Sequence, residues 1–186
     1  MPKVKFGLKN AYYALATIST VDGSATYGTP KRLPGAVSIS MDPAGEQTVF
    51  RADDVAFYVT GGSMGYTGEL ELAMIPDSFR VDCLGEDNSV EGIILEMADS
   101  SPQPFALLFE FTTDENAIRH AFYNCVASRT NISGKTKGES TEVQTDTINI
   151  TASAIYNSTK SANIVKAKAE SAATSYGTWY THVYQP

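Results

Sequence analysis

The chain has 186 residues, which is the usual length of one domain. Its composition is 42% hydrophobic and 19% charged, so it holds enough apolar residues for a core, and global disorder is excluded. The net charge of −7 argues against a nucleic-acid-binding protein, because phosphate binding by counterion release needs a basic surface.

The charge is distributed unevenly along the chain. Residues 1–51 hold six basic and three acidic side chains, residues 52–116 one basic and fourteen acidic, and residues 117–186 seven basic and four acidic. An acidic middle between two basic ends suits a subunit that contacts copies of itself, although a chance distribution of surface charge explains it equally well.

No membrane or secretion signal stands out. The first 20 residues lack the uninterrupted apolar segment of a signal peptide, and the longest apolar runs, Val55–Val59 and Phe105–Phe109, are too short to cross a bilayer. Cys83 and Cys125 are too few for a disulfide scaffold and are expected to be buried. We expect a soluble protein that is made in the cytoplasm and has no membrane partner.

The first half of the chain has the alternating pattern of β-strands. Val37–Met41 alternates and ends at a turn signal, Asp42–Gly45, from which Thr48–Ala52 returns as the partner strand; Val55–Thr60 forms a further strand. Tyr66–Ile75 has one polar face, with Glu69 and Glu71 in water. Its predicted core-facing residues are Leu70, Leu72 and Met74.

One short helix is predicted over residues 76–85. Pro76 suits its first position, Asp77 favours the positive end of the helix dipole, and Gly85 suits the position just after its end. Phe79 and Cys83 are four residues apart, so they form an apolar stripe that can pack on a sheet.

The sequence of the second half of the chain also predicts strands. Phe105–Phe111 is apolar on nearly both faces, as in a central strand, and Ile118–Arg129 pairs back with it. A polar loop, Asn131–Ser140, precedes a strand from Val143 to Tyr156, which at 3.3 Å per residue would span about 46 Å. A strand of that length is expected to continue into or beside a neighbouring subunit. Residues 157–186 form a tail that must pack on its own domain or on a neighbour.

Catalytic, cofactor and metal signals are weak. Ser133–Thr136 matches the end of a phosphate-binding loop, but the first glycine of that motif is missing, since position 129 is arginine. His120 and Cys125 are separated by an odd number of positions and would face opposite sides of a strand. Glu69 and Glu71 are better explained as solvated charges than as a glycosidase pair. We therefore predict no enzyme, no cofactor and no metal.

Several segments, in order along the chain, resemble the phi13-type major tail proteins of siphophages. They are Phe6–Asn10, Leu33–Ser38, Gly65–Pro76, Phe79-Arg80, Leu84–Glu86, Phe105–Phe111, Arg119–Cys125, and the ending with Trp179-Tyr180, Val183-Tyr184 and Pro186. The order of the predicted elements is also similar to the tube domain of the phage lambda tail tube protein.

This resemblance implies a mainly β fold, a β-sandwich or barrel-like tail tube fold with one flanking helix over about 76–85. It implies a single domain, 1–186, with an N-terminal arm of about residues 1–10 and a C-terminal arm of about residues 157–186. The sheets of neighbouring subunits would join, and stacked hexameric rings would form a hollow tube through which DNA leaves the capsid. The implied location is the virion, assembled in the bacterial host.

The resemblance also suggests partners and sites. The partners are other copies of the chain, a tape-measure protein in the lumen, tail-tip and tail-terminator proteins, and DNA that passes without specific binding. The candidates for acids facing the lumen are Glu69, Glu71 and Asp146. The candidates for contacts between subunits are Asp42, Pro43, Gly45, Ser133, Gly134, Lys135, Trp179, Tyr180 and Tyr184. The alternative is a monomeric β-sandwich module of a phage particle that binds a carbohydrate or receptor through exposed aromatic residues near Trp179.

Overall fold

The computed structural model describes residues 4–45, 47–52, 55–61, 65–88, 91–136 and 143–186. Within these ranges the chain is mainly β, as predicted, with one short helical segment. The strands, in chain order, are β1 (Lys5–Ile18), β2 (Ala25–Tyr27), β3 (Lys31–Leu33), β4 (Ala36–Ala44), β5 (Gln47–Ala52), β6 (Val55–Gly61), β7 (Gly65–Leu72), β8 (Asp87–Asn88), β9 (Ile94–Leu95), β10 (Phe105–Thr113), β11 (Ile118–Ala127), β12 (Asp146–Ser153), β13 (Ile155–Asn157), β14 (Ala162–Ile164) and β15 (Lys166–Ala169).

A nine-stranded antiparallel sheet organises the fold. Its strand order is β2-β1-β10-β11-β12-β7-β4, while β3 also pairs with β1 and β15 also pairs with β11. Three strand pairs, β5–β6, β8–β9 and β13–β14, lie outside this sheet. Among the described residues the sheet does not close into a barrel, so β4 lies at one edge and β2 and β3 lie near the other.

The helical segment covers one face of the sheet. It begins as α1 (Asp77–Phe79), continues as a π-helical turn (Arg80–Leu84), and ends at Gly85 with a left-handed φ of 73°. The prediction over residues 76–85 is thus confirmed. Phe79 and Cys83 are fully buried, and the Phe79 ring meets the Tyr13 and Phe105 rings edge to face. This packing forms the first of two hydrophobic cores.

The second core lies on the opposite face, under the C-terminal residues. Trp179 and Val183 are buried there with Ala106, Leu108 and Tyr123 of the central strands. Strand β10 therefore has a core on each side, as its apolar sequence predicts, and its first six residues are all buried. The residues predicted as a C-terminal arm pack on their own subunit.

The N-terminal residues are also integrated into the sheet. Lys5–Asn10, which the sequence suggests as part of an arm, belong to β1 and pair with the end of β10, from Lys5 opposite Thr113 to Lys9 opposite Glu110. Strand β1 has 14 residues and is interrupted by irregularities in its register with β10.

The turn predicted at Asp42–Gly45 is wrong. Asp42 and Pro43 continue β4, which pairs with β7 up to Ala44, and β5 pairs with β6 rather than with β4. Proline is tolerated here because β4 is an edge strand, where a missing N–H costs no ladder hydrogen bond. Strand β4 ends at Ala44 instead, and Gly45 follows it with a φ of 140°.

The long strand predicted from Val143 to Tyr156 is also wrong. Strand β12 covers only Asp146–Ser153, and after Ala154 the chain leaves the large sheet as β13, which pairs with β14. Eight residues span about 26 Å, a length that fits within one subunit. Residues 137–140 of the predicted loop lie outside the described residues.

The predicted core position of Met74 is wrong as well. Strand β7 ends at Leu72, and Met74, on the way to α1, is 73% exposed. The alternation breaks because the Ala73 N–H bonds to the Gly35 carbonyl and the Ile75 N–H bonds to Asp146, which redirects the chain towards the helix.

Candidate functional site

Three neighbouring strands, β4, β7 and β12, present a polar face opposite the first core. The backbone register aligns their outward side chains in rows across the strands. These rows are Ser38, Glu71 and Thr147; Ser40, Glu69 and Asn149; and Asp42, Thr67 and Thr151. The alternate residues of β7 and β12, Leu70, Leu72, Ile148 and Ile150, are buried on the other side. The face thus has three carboxylates and no lysine or arginine.

Two of these carboxylates differ in their surroundings. Glu71 accepts hydrogen bonds from the Thr145 hydroxyl, at 2.6 Å, and from the Ser38 hydroxyl, at 2.8 Å. These two bonds lower the pKa of Glu71, which keeps its negative charge fixed near the end of β7. Glu69, two residues earlier, is exposed. The sequence-based prediction that both face water on one side of a strand is correct.

Asp146 does not lie on this face. It pairs in register with Leu72, on the side of the sheet that faces the first core, and its Oδ2 accepts a hydrogen bond from the Ile75 N–H at 3.1 Å. Asp146 has the same parity along β12 as the buried Ile148 and Ile150. Its observed contact is structural, since it holds the link between β7 and α1.

Asp42 joins the polar face although the sequence suggested a turn there. It is exposed on β4, opposite Thr67. The signal that would have found it is the alternation itself, because Ser38, Ser40 and Asp42 continue the same period of two. The Asp-Pro dipeptide is typical of turns and therefore favours the prediction of a turn at this position.

The other candidates for subunit contacts in the loops are on the surface. Pro43 and Gly45 are exposed at the end of β4. Ser133, Gly134 and Lys135 are also exposed, and the Lys135 backbone exchanges two hydrogen bonds with the Gln144 side chain, at 3.0 and 3.1 Å. Their contact with a neighbouring subunit stays a prediction.

Comparison with known proteins identifies the family to which this chain belongs. A family model described as phage tail tube protein matches residues 3–184, nearly the whole chain. The chain belongs to the phage tail tube protein family. It is therefore a structural component of the virion that assembles into the tail tube with other tail proteins. No curated protein matches it.

The C-terminal residues of this tail tube protein are anchored by a buried ion pair. Glu110 on β10 is 6% exposed, and its carboxylate accepts hydrogen bonds from Arg119 at 3.1 Å, Asn10 at 2.7 Å and the Tyr180 hydroxyl at 3.1 Å. The Arg119 guanidinium in turn lies 3.8 Å from the centre of the Tyr176 ring. The ion pair and the aromatic rings together attach the C-terminal segment to the sheet.

Trp179 and its neighbouring tyrosines are packed within the subunit. Trp179 is 2% exposed, donates a hydrogen bond to the His120 carbonyl at 3.3 Å and stacks with Tyr184. Tyr180 stacks on Tyr12 of β1, with 4.7 Å between ring centroids. Of the aromatic residues that the alternative would use for binding, Trp179 is buried, while Tyr180 and Tyr184 are half-buried against the second core.

The two residues considered for a catalytic pair, His120 and Cys125, are packed among other side chains. Cys125 is fully buried, and burial raises the pKa of its thiol. The His120 ring stacks on Phe109, with 5.4 Å between centroids, and meets Phe111 edge to face. Across the described ranges, no three His, Cys, Asp or Glu side chains form a group that could hold a metal ion, and no helix is long and apolar enough to span a membrane.

The surroundings of His120 predict a pH dependence of stability. Burial, and then the charges of Lys166, Lys168 and Lys5, lower the pKa of His120 to about 4, whereas an unfolded histidine titrates near pH 6.5. Below pH 6.5 the unfolded chain binds the additional proton, so the free energy of unfolding should fall as the pH decreases from about 6.5 to 4.

Urea unfolding at pH 7 and pH 5, of the wild type and of a His120→Gln variant, measures this effect. The wild type should lose more stability between the two pH values than the variant, which has no imidazole to protonate. Equal losses in the two proteins would show that His120 is not responsible.

Proposed function

We propose that this chain forms hexameric rings that stack into the hollow tail tube, and that the polar face of β4, β7 and β12 lines the lumen through which DNA passes. The single observation that supports this most is the composition of that face. It contains Asp42, Glu69 and Glu71 and is otherwise made of serine, threonine and asparagine. A sheet that exposes such a face to water, with its other side in a core, suits the wall of an aqueous channel.

The charge of the proposed lumen suits passage of DNA rather than binding. Carboxylates repel the phosphates of the genome, and the hydroxyl and amide groups offer no cation to hold them. DNA therefore moves along the wall without forming ion pairs that would have to be broken at every step. The same surface would surround the tape-measure protein before ejection, and tail-tip and tail-terminator proteins would close the ends of the tube.

The edges of the sheet support assembly through joined sheets. Within the described residues β4 pairs with β7 alone, so its outer edge has free backbone hydrogen-bonding groups. An unpaired edge invites association with another strand, and closure into a barrel removes it. A ring of subunits that pair edge to edge gives a barrel wide enough to stay open. In this arrangement the exposed Pro43, Gly45 and Lys135 lie at surfaces available to neighbours, and the protein catalyses no reaction.

Reversing a charge on the proposed lumen wall should slow DNA ejection. Glu69 is exposed in the middle of the polar face, so Glu69→Lys places a cation where phosphates pass, and each phosphate contact then resists movement. We expect the rate of DNA release from triggered particles to fall severalfold at low salt, with the difference shrinking at high salt because salt screens the charge. Glu69→Gln should have a smaller effect of the same sign.

The control is Asp87→Lys, which makes the same charge change at an exposed position outside the polar face. It should leave the ejection rate unchanged. Normal tubes of Glu69→Lys subunits that release DNA at the wild-type rate, at low salt, would contradict the assignment of this face to the lumen.

A further inference from the structure

An aromatic surface with three lysines at its rim extends along the central strands, from Phe111 of β10 to Phe122 of β11. The rings of Tyr66, Phe122, Phe109, His120 and Phe111 contact each other in sequence, with centroid distances from 5.2 to 6.1 Å. Lys5 Nζ lies 4.5 Å from the centre of the Phe111 ring, and Lys166 Nζ lies 4.4 Å from the centre of the Tyr66 ring. Lys168 is next to His120 in the β11–β15 register. We call this surface the lysine-aromatic patch.

The patch carries three lysines, and three of its five rings reach the surface, while Phe109 and Phe122 are buried. Lys5, Lys166 and Lys168 are exposed, while Tyr66, Phe111 and His120 are half-buried. All three lysines disfavour protonation of His120, so their charges act on the same small region. Lys168 also pairs with Glu170 at 2.8 Å, on the surface. An apolar centre surrounded by cations is the surface that an acidic segment with apolar side chains would fit.

Such a segment lies beyond the C-terminal end of β11, at Arg129. Residues 91–99, which we call the acidic ribbon, include β9 and have the sequence EGIILEMAD, with three acids and no base. Leu95 and Met97 of the ribbon are exposed. Arg129 holds it in place, since its guanidinium bonds to the Met97 and Ala98 carbonyls, at 3.0 and 2.9 Å, and pairs with Glu96 at 3.0 Å.

The strand register places the two surfaces far apart. On β11 the patch extends from Ile118, opposite Phe111, to Phe122, opposite Leu107, whereas the ribbon is held by Arg129, seven residues beyond Phe122. Seven extended residues span about 23 Å. The ribbon of one subunit, held at Arg129, therefore lies away from the patch of the same subunit.

We propose that the acidic ribbon of one subunit docks on the lysine-aromatic patch of a second copy of this chain. The proposal rests on the function proposed above and identifies a surface through which copies join. Glu91 and Asp99 would meet the three lysines, and Leu95 and Met97 would pack on the half-buried rings. Because the two surfaces differ and lie apart, the contact is heterologous, and it closes a ring or extends a stack without self-limitation to a dimer.

The test exchanges the charges of the two surfaces in the full-length protein. Lys166→Glu with Lys168→Glu reverses the patch, Glu91→Lys with Asp99→Lys reverses the ribbon, and a fourfold variant combines them. Assembly is followed by sedimentation velocity and negative-stain electron microscopy over a concentration series. Each double reversal should raise the concentration needed for half-assembly by about tenfold or more, since like charges would then face each other, and the fourfold variant should recover most of the loss.

A matched control and a direct proximity measurement complete the test. Lys160→Glu changes an exposed lysine outside the patch and should assemble like the wild type. Subunits with Lys168→Cys, mixed with subunits with Asp99→Cys, should form a covalent dimer with a short bismaleimide, because docking brings the two positions together. The native Cys83 and Cys125 are buried, so only the introduced cysteines should react.

The possible results distinguish this proposal from the proposed function. Tubes that form equally well from both double reversals, or a fourfold variant no better than either, would overturn the pairing of patch and ribbon and leave the tube function intact. A wild type that forms no oligomer at its highest soluble concentration, together with cysteine variants that give no covalent dimer, would contradict both proposals. Recovery in the fourfold variant together with the covalent dimer would support both.

Discussion

Replacing Trp179 by alanine is expected to lower the free energy of unfolding by about 3–5 kcal/mol, the usual cost of truncating a buried aromatic side chain. Trp179 is 2% exposed and connects the C-terminal segment to β10 and β11, and its indole N–H bonds to the His120 carbonyl. The segment around it has little regular structure, so its attachment depends on such side chains. Urea unfolding followed by circular dichroism measures the loss, since the variant has no tryptophan fluorescence.

Trp179→Phe is the matched variant. It keeps an aromatic ring in the second core and loses the indole hydrogen bond and part of the packed volume, so its cost should lie well below that of alanine. Limited proteolysis should cut the Trp179→Ala variant within residues 170–186 faster than the wild type. A loss of less than about 1 kcal/mol in the alanine variant would show that the C-terminal segment is held by other contacts.

The second large effect is expected for Glu110→Ala, at about 3–5 kcal/mol, the usual cost of breaking a buried ion pair by removing one partner. Glu110 accepts hydrogen bonds from Arg119, Asn10 and Tyr180 at once. Its removal leaves the Arg119 charge without its carboxylate under the Tyr176 and Tyr180 rings. Thermal and urea unfolding at neutral pH measure this loss.

Glu170→Ala provides the comparison, because Glu170 forms an ion pair with Lys168 in which both side chains are about half exposed. Exposed pairs of this kind contribute at most about 1 kcal/mol. Similar losses in the two variants would contradict the view that burial makes the Glu110 pair important. The combination of Glu110→Ala with Trp179→Ala should cost less than the sum of the single changes, since both release the same segment.

The two cores explain why one half of the sheet is available for function. The C-terminal segment covers the outer face of β1, β10 and β11, with Tyr180 on Tyr12 and Trp179 against the second core. The same side of β12, β7 and β4 has no such cover among the described residues, and there the side chains are polar. We infer that the covered half makes the subunit stable and that the open half faces the lumen.

Several elements follow from local sequence patterns. The helix over 76–85 is specified by Pro76, Asp77 and Gly85, each suited to a helix end for its own backbone reason. The central position of β10 follows from an apolar run in which both faces need burial. Glu69 and Glu71 alternate with leucine, which predicts that both lie on one polar face of the strand. These features depend on contacts within a few residues or on a period of two, so they can be predicted without knowing the fold.

Other features depend on distant segments. Asp42-Pro43 is typical of a turn, yet the pairing with β7 keeps both residues extended at the edge of the sheet, where proline is tolerated. The strand predicted over 143–156 ends at Ser153, because Ile155–Asn157 pair with β14 instead. Asp146 is acidic, like the other lumen candidates, but its carboxylate accepts a hydrogen bond from the Ile75 N–H, 71 positions away in the sequence.

Periodicity, helix-end signals and composition are local or additive properties, so they predict a mainly β protein with one helix over 76–85 and a net negative charge. The family resemblance rests on the individual segments that match. The folded structure was needed to show which residues share the polar face, that the C-terminal segment packs on its own subunit, and that the acidic ribbon lies beyond β11, away from the lysine-aromatic patch. Strand pairing creates these neighbours, and pairing depends on long-range packing energy that no single segment contains.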